Sequence, residues 1–162
     1  MIGIYKIISP SNKIYIGQSK HVEKRWLQYK NKNNMMTVKT IIKESDIHGI
    51  GLFADEFIPK GTKIWEFTPN FDLKYTKEQI NMLPKSVQDY MEMYAWLSKK
   101  SGKYCFSSDN GKYFNHSKQN NVQSYYFDEH EEVITYSLRD IEKGEELLDD
   151  YGSFEEGFEE NF

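Results

Sequence analysis

The sequence predicts a mainly β domain with short helices, carrying a small β-hairpin and helix at its N-terminal end, and three observations lead there. Most apolar residues fall in short β-branched and aromatic runs separated by Gly, Pro, Asn and Ser clusters, the punctuation of strands and turns. Within the body of the chain, helical spacing marks two stretches, residues 21–32 and 76–100. Aromatic residues make up 15% of the 162 residues while mean hydropathy is -0.75, which describes a Tyr- and Phe-rich core under a polar surface rather than a disordered chain.

In order, IGIYKII and KIYIGQS form two strands split by Ser9, Pro10, Ser11 and Asn12, whose turn chemistry makes them a hairpin. HVEKRWLQYKNK follows, with Val22, Trp26 and Tyr29 at helical spacing, and the polar run 30–34 is a linker. From Thr37, TVKTIIKES is a strand, IHGIGLFA a Gly-punctuated turn into a strand, and FIPKGTKIWEF a further turn and strand. TKEQINMLPKSVQDYMEMYAWLSKK, interrupted by Pro84, predicts two short helices inserted into the sheet. The last third returns to strands, KYCFSS, VQSYYFDE, EEVITYSL and EELLDDYG, with GKYFNHSKQNNV as a polar loop among them. The chain thus divides into an appendage at 1–34, a β domain at 35–152 with an inserted helical segment at about 72–102, and an acidic tail at 153–162.

Composition narrows the function classes. No apolar run approaches a membrane span, and the start lacks the basic and apolar regions of a signal peptide, so an intracellular setting is expected. The single Cys105 rules out an internal disulfide and a zinc site built on paired cysteines, and His21, His48, His116 and His130 are not at metal-ligand spacings, so no metal is expected. Residues 1–43 hold nine Lys and Arg against one acid, Glu23, while the remainder holds twelve against twenty-four. A basic head on an acidic body favours a cationic partner for the body, docking of head on body, or two merely solvated faces.

Taken singly, the polar motifs have ordinary explanations: Gly49 and Gly51 as turn residues, Asn115 and His116 as loop residues bonding their own backbone, Tyr151 as a strand-end aromatic. Their order changes that. SDIHGIGLFADEFIPKGTKIWEF, then YFNHSKQNN, then LRDIEKGEELLDDYG resembles the SET-domain protein lysine methyltransferases motif by motif, over roughly residues 37–152, and FNHSK is similar to the loop of small viral and bacterial members.

The resemblance implies a SET-domain β-clip fold with a C-terminal pseudoknot, S-adenosylmethionine as cofactor, and methyl transfer to a lysine amine in a basic protein or peptide, histone-like tails included. His48, Gly49, Ile50 and Gly51 match the first cofactor loop, Asn115 and His116 the residues that hold the cofactor, and Tyr151 the catalytic tyrosine. Tyr94 and Asp149 join Tyr151 as candidates for the substrate channel, Tyr94 with core packing as its alternative. In-line displacement at a sulfonium needs an aligned, neutral lysine nitrogen; the adjacent positive charge and burial both disfavour the ammonium form, so no dedicated base is required. The peptide is expected to add as an extended strand beside the inserted segment.

Three departures stand out. Lys112 stands where many members have Arg, and Lys118 where many have a zinc-binding Cys, so the zinc-containing tail of larger members is not expected. Residues 153–162 are the candidate to close the channel, with Phe154, Phe158 and Phe162 on one helical face. Asp149 takes a position that is often aromatic; pointing the same way as Leu147 and Tyr151, its carboxylate would hold water or pair with the incoming lysine, which predicts mono- or dimethylation.

The head has its own resemblance. Gly3-Ile4-Tyr5, Tyr15-Ile16-Gly17 and Arg25 are similar to the start of the GIY-YIG nucleases over about residues 2–30. The chain passes into SET-like sequence before the metal-binding Glu of that family could appear, which implies a truncated relic without cleavage activity. Lys6, Lys13, Lys20, Lys24 and Arg25 leave nucleic-acid binding open beside packing on the acidic body. The readings that compete with methyl transfer are an inactive SET-scaffold binding module and a nucleic-acid-binding protein led by the head; the charge contrast also suits a homodimer.

Overall fold

The computed structural model describes residues 3–8, 14–19 and 36–158, in two compact units, Met1–Asn33 and Asn34–Phe162. In the first unit, β1 (Gly3–Ile8) and β2 (Ile14–Ser19) pair antiparallel from Gly3↔Ser19 to Ile8↔Ile14. The turn at Ser9 to Asn12, the helix at 21–32, Arg25 and the linker lie outside the described residues, as does Phe162.

The second unit is built from short strands. β3 (Thr40–Glu44) and β4 (Ile50–Ala54) form an antiparallel pair, and β5 (Lys63–Glu66) follows the Gly61 turn, where φ is +78°. β6 (Leu73–Tyr75) leads to α1 (Lys77–Asn81) and α2 (Lys85–Tyr94), then β7 (Ala95–Leu97) and β8 (Tyr104–Phe106). β9 (Asn115–His116), β10 (Val122–Tyr125), β11 (Ile134–Ser137) and β12 (Leu148–Asp149) complete it. β10-β11-β5 and β6-β8-β7 are three-stranded sheets, while β9 and β12 pair in parallel.

The helices start where the sequence supplies caps. Thr76 and Gln79 form a reciprocal capping box on α1, and Pro84 stands at the N-cap of α2. The stretch at 72–102 is not all helical, however: α2 stops at Tyr94, and Ala95–Leu97 pairs with Tyr104–Phe106 while Leu73–Tyr75 takes the other side. Pairing with the YCF strand and burial of Trp96 among Trp65, Phe67 and Phe154, at ring distances of 5.9, 6.4 and 6.1 Å, override the helical spacing.

The core is centred on Leu52, Ile58, Ile64, Val122, Ile141 and Leu147, each with 1% or less of its surface exposed. Phe154 belongs to it, so the start of the tail is anchored. The expected tail helix is not present over 153–158. Instead Glu156 N donates to Leu97 O at 2.8 Å and Lys99 N to Phe154 O at 3.2 Å, spending on β7 and the residues after it the backbone groups a helix would need. The tail thus runs beside the chain at Leu97–Lys99, with Ser98 bridging Glu155. Cys105 is fully buried, and burial pushes its thiol far up.

Candidate functional site

One half of the site is a knot of short polar bonds. Gly49 turns the chain between β3 and β4 at φ +49°, a left-handed conformation that favours glycine. Ser45 closes the turn: its N donates to Gly49 O at 2.9 Å, and its Oγ accepts from Ile47 N at 2.9 Å. Asn115, 8% exposed, reaches across from β9 and donates through Nδ2 to His48 O at 3.0 Å and to Glu146 Oε1 at 2.8 Å. The other Glu146 oxygen accepts from Ser45 Oγ at 3.0 Å. Asn121 fastens the strand after Glu146 from the opposite side, donating to Glu146 O at 2.8 Å and accepting from Leu148 N at 2.9 Å. This lashing of β9 to β12, with Ser117 N donating to Asp149 O, is the pseudoknot.

Gly51 serves this knot in a way its spacing did not reveal. A Cβ there would stand 2.1 Å from Glu146 Oε1, so the missing side chain makes room for a carboxylate of the protein itself. Gly49 is different, with open space where its Cβ would be.

The other half is a cavity of about 230 Å³, walled by rings from separate parts of the chain: Trp65, Tyr94, Trp96, Tyr151, Phe154 and Phe158. Tyr94, at the end of α2, packs on Tyr90 and Tyr113 at 4.8 and 5.7 Å. Tyr151 donates its hydroxyl to Phe114 O and its N–H to His116 Nδ1 at 3.2 Å. Its ring and that of His116 both meet Phe158, at 5.4 and 4.7 Å. Burial, then the charges of Asp149 and Glu155, push the Tyr151 phenol up, so it stays protonated and a donor.

Asp149 also lines this cavity and is 2% exposed. Burial raises its carboxyl to about 7 against the opposing pull of bonds from Ser124 and Asp150. Lys112 lies on the same wall; burial lowers its amine, which donates to Asp109 O at 2.8 Å.

The residues singled out in the sequence therefore gather in two groups. His48, Gly49, Ile50 and Gly51 meet Asn115 at the polar knot, and Tyr94, Asp149 and Tyr151 meet around the cavity. His116 joins the groups through Tyr151 N. Glu146, Ser45, Ser124, Thr135 and Trp96 were not singled out. Glu146 lay inside the quoted EKGEELLDDYG, and its partner Gly51 was the available signal; the others show themselves only in three dimensions.

Gly49 fronts open space, and Ile47 and Ile50 beside it are 55% and 48% exposed. The donor end of Asn115 is spent within the protein, so what it can offer an ammonium group is its Oδ1. Among the described residues, no cluster of three or more His, Cys, Asp or Glu could hold a metal ion, and no helix is long and apolar enough to cross a membrane.

Comparison with known proteins agrees with this architecture. A family model described as SET domain matches residues 49–152, and one described as GIY-YIG catalytic domain matches residues 1–78. The second match runs well past the short segment expected and overlaps the first over β4 to β6. A crystal structure from Plasmodium falciparum, of a protein described as a candidate histone methyltransferase, is similar at 25% identity and TM-score 0.50, covering 71% of this chain and 94% of that one. A humanized Polycomb Repressive Complex 2 from Chaetomium thermophilum, bound to an inhibitor, shares the fold at 19% identity and TM-score 0.51, covering 72% of this chain and 15% of that one. An apo ctPRC2 shares it at 22% identity and TM-score 0.58, covering 74% and 16%. No curated protein gives a significant match.

Proposed function

Since the chain belongs to the SET domain family, whose model covers residues 49–152, we propose that it transfers methyl groups from S-adenosylmethionine to lysine side chains of a basic protein. One observation carries the reading. Tyr151, in the cavity wall, is bonded through its hydroxyl to Phe114 O and through its N–H to His116, which places the ring cavity next to the Asn115 knot.

The cofactor, when bound, supplies a methyl group on a positively charged sulfur. Asn115 and the 48–51 loop would hold it by Oδ1 and backbone groups, beside the exposed face of Ile50. The rings of Tyr94, Trp96 and Phe154 would guide the aliphatic stem of lysine and exclude water from its nitrogen. Tyr151, a permanent donor tied to Phe114 O, keeps the opening between the two halves in shape. Glu92, Asp149 and Glu155 on the cavity wall favour a cationic side chain, in keeping with the acidic body.

The Plasmodium falciparum neighbour's description makes histones the first proteins to try. Labelled methyl should move from S-adenosylmethionine to one of a panel of basic proteins, and mass spectrometry should find mono- or dimethyl-lysine as the main product. Cofactor binding with no transfer to any protein would favour a binding module, and absence of cofactor binding would remove Asn115 and His116 from the assignment.

A further inference from the structure

We propose that Asp149 is the proton acceptor for the substrate amine, acting through a hydrogen-bond relay with Ser124 and Thr135 in the cavity wall. The proposal rests on the methyltransferase reading above. It starts from an anomaly of composition: a cavity walled mainly by rings and aliphatic groups includes three buried polar side chains, Asp149, Ser124 and Thr135, exposed by 2%, 5% and 1%.

They form one chain of short bonds. Asp149 Oδ2 lies 2.6 Å from Ser124 Oγ, which lies 2.7 Å from Thr135 Oγ1. Asp149 Oδ1 is fixed by two backbone donors, Asp150 N at 2.8 Å and Ser124 N at 3.2 Å, so only Oδ2 can change its hydrogen-bonding role. With the carboxyl ionised, Ser124 donates to Oδ2 and Thr135 donates to Ser124. With Oδ2 protonated, the order reverses: Oδ2–H donates to Ser124 and Ser124 donates to Thr135. Both bonds survive either way, and the reversal frees only the Thr135 hydroxyl hydrogen, so a proton can be taken up without breaking the chain.

The surroundings favour uptake. The charged and titratable groups around this carboxyl are Asp150 and Tyr151 on its own segment, His116 opposite it on β9, Glu155 from the tail, Glu92 from α2 and Lys112 from the turn after β8. Lys118 pairs with Asp150 at 3.2 Å, and on the cavity wall itself the two other acids, Glu92 and Glu155, outnumber the one lysine, Lys112, whose own charge burial disfavours. Burial likewise sets Asp149 to about 7, within the range where an acceptor both holds and releases a proton near neutral pH.

An incoming ammonium facing a carboxylate in a dry cavity is a costly ion pair, and neutralising both partners relieves it. One N–H bond of the ammonium breaks and an O–H bond forms at Asp149 Oδ2. The freed lone pair on nitrogen then forms the bond to the methyl carbon as the carbon–sulfur bond breaks, sulfur keeping the electron pair. The proton on Oδ2 passes to water when the methylated product leaves.

Two readouts test this. The first follows the Asp149 carboxyl by carbon NMR, assigned with Asp149→Asn, with and without n-butylamine as a lysine mimic. An amine that hands its proton to Oδ2 should keep the carboxyl protonated to higher pH, raising the titration midpoint by about one pH unit or more. A midpoint unmoved or lowered by n-butylamine overturns the proposal, and this readout needs no turnover. The second is the pH profile of methyl transfer to core histones. The wild-type rate should rise through about pH 7, Asp149→Asn should lose that limb and be about tenfold slower near neutrality, and Ser124→Ala should shift the limb to higher pH. Ser124→Ala removes a bond that holds the carboxyl down, so it moves the profile without removing the acid. Overlapping profiles for wild type and Asp149→Asn overturn the relay and leave the methyltransferase reading standing. A wild type that transfers no methyl group to any lysine overturns both.

Discussion

The two halves of the site are held by different forces. At the polar knot, Asn115, Glu146, Ser45 and Asn121 fix the 48–51 loop with a handful of directional bonds. Around the cavity, Trp65, Tyr94, Trp96, Tyr151, Phe154 and Phe158 are held by broad ring contacts. Directional bonds share partners, so losing one strands another; ring contacts are many and weak, so they degrade by degrees. The lesson is that the knot should fail all at once and the cavity gradually.

Gly51→Ala is the sharpest way to break that contrast. The added Cβ would evict the Glu146 carboxylate, leaving Asn115 and Ser45 without their acceptor, and we expect a loss of about 3 kcal/mol in thermal denaturation together with loss of cofactor binding in calorimetric titration. Wild-type stability in this variant would show that the knot is not a cooperative unit. Next in size is Tyr151→Phe. Removing the hydroxyl should cut labelled methyl transfer roughly tenfold or more while costing only about 1 kcal/mol of stability.

Two buried carboxyls, Asp149 in the cavity wall and Asp72 held by directional bonds outside both halves, sharpen it through pH. Burial raises Asp72 to about 6 and Asp149 to about 7. A folded-state value above the unfolded one means stability that is fully present below about pH 4 and is lost as pH climbs through those folded values. At pH 8 both are buried charges, yet their replacements should differ. Asp149→Asn mimics the protonated acid, because Oδ1 still accepts the two backbone donors and Nδ2 can donate to Ser124; it should stabilise by about 1 kcal/mol at pH 8 and by little at pH 5. Asp72→Asn should destabilise, since each oxygen of Asp72 accepts a backbone donor, Thr68 N and Ser108 N, and Asn can satisfy only one. Melting curves at the two pH values would separate them; a lower melting point for Asp149→Asn at pH 8 would count against the flexible relay.

The smallest effect belongs to the rings. Phe158→Leu keeps most of the contact with His116 and Tyr151, so stability should fall by about 0.5–1 kcal/mol and the KM for a protein substrate should rise only a few-fold. A total loss of activity would mean that the tail is part of the knot rather than of the graded wall.

The same contrast explains what was legible beforehand. The knot is carried by residues whose chemistry is rare and whose order is fixed, so the IHGIG and FNHSK stretches pointed to it directly. The strands of the core were legible from β-branched runs, and α1 and α2 from helical spacing interrupted at Pro84. Ala95–Leu97 was not, because its strand character comes from pairing with Tyr104–Phe106 and burying Trp96, neither of which is local. The tail misled in the same way: Phe154 and Phe158 at helical spacing pack from an irregular chain bonded to Leu97 and Lys99. Asp149 could be aimed by strand alternation, but Ser124 and Thr135 come from β10 and β11, and no spacing joins them to it.

The parallel pairing of β9 with β12 has a further consequence, in time rather than space. Leu148 and Asp149 dock beside Asn115 and His116 only after the intervening β10 and β11 have been made, and a parallel pair so short cannot start a sheet by itself. Synthesis therefore delivers the core strands before the segment that ties the loop of Asn115 in place. Closing that tie is a late, non-local event, and because Leu147 and Phe154 flank the tying segment, the core and the binding site should be completed together.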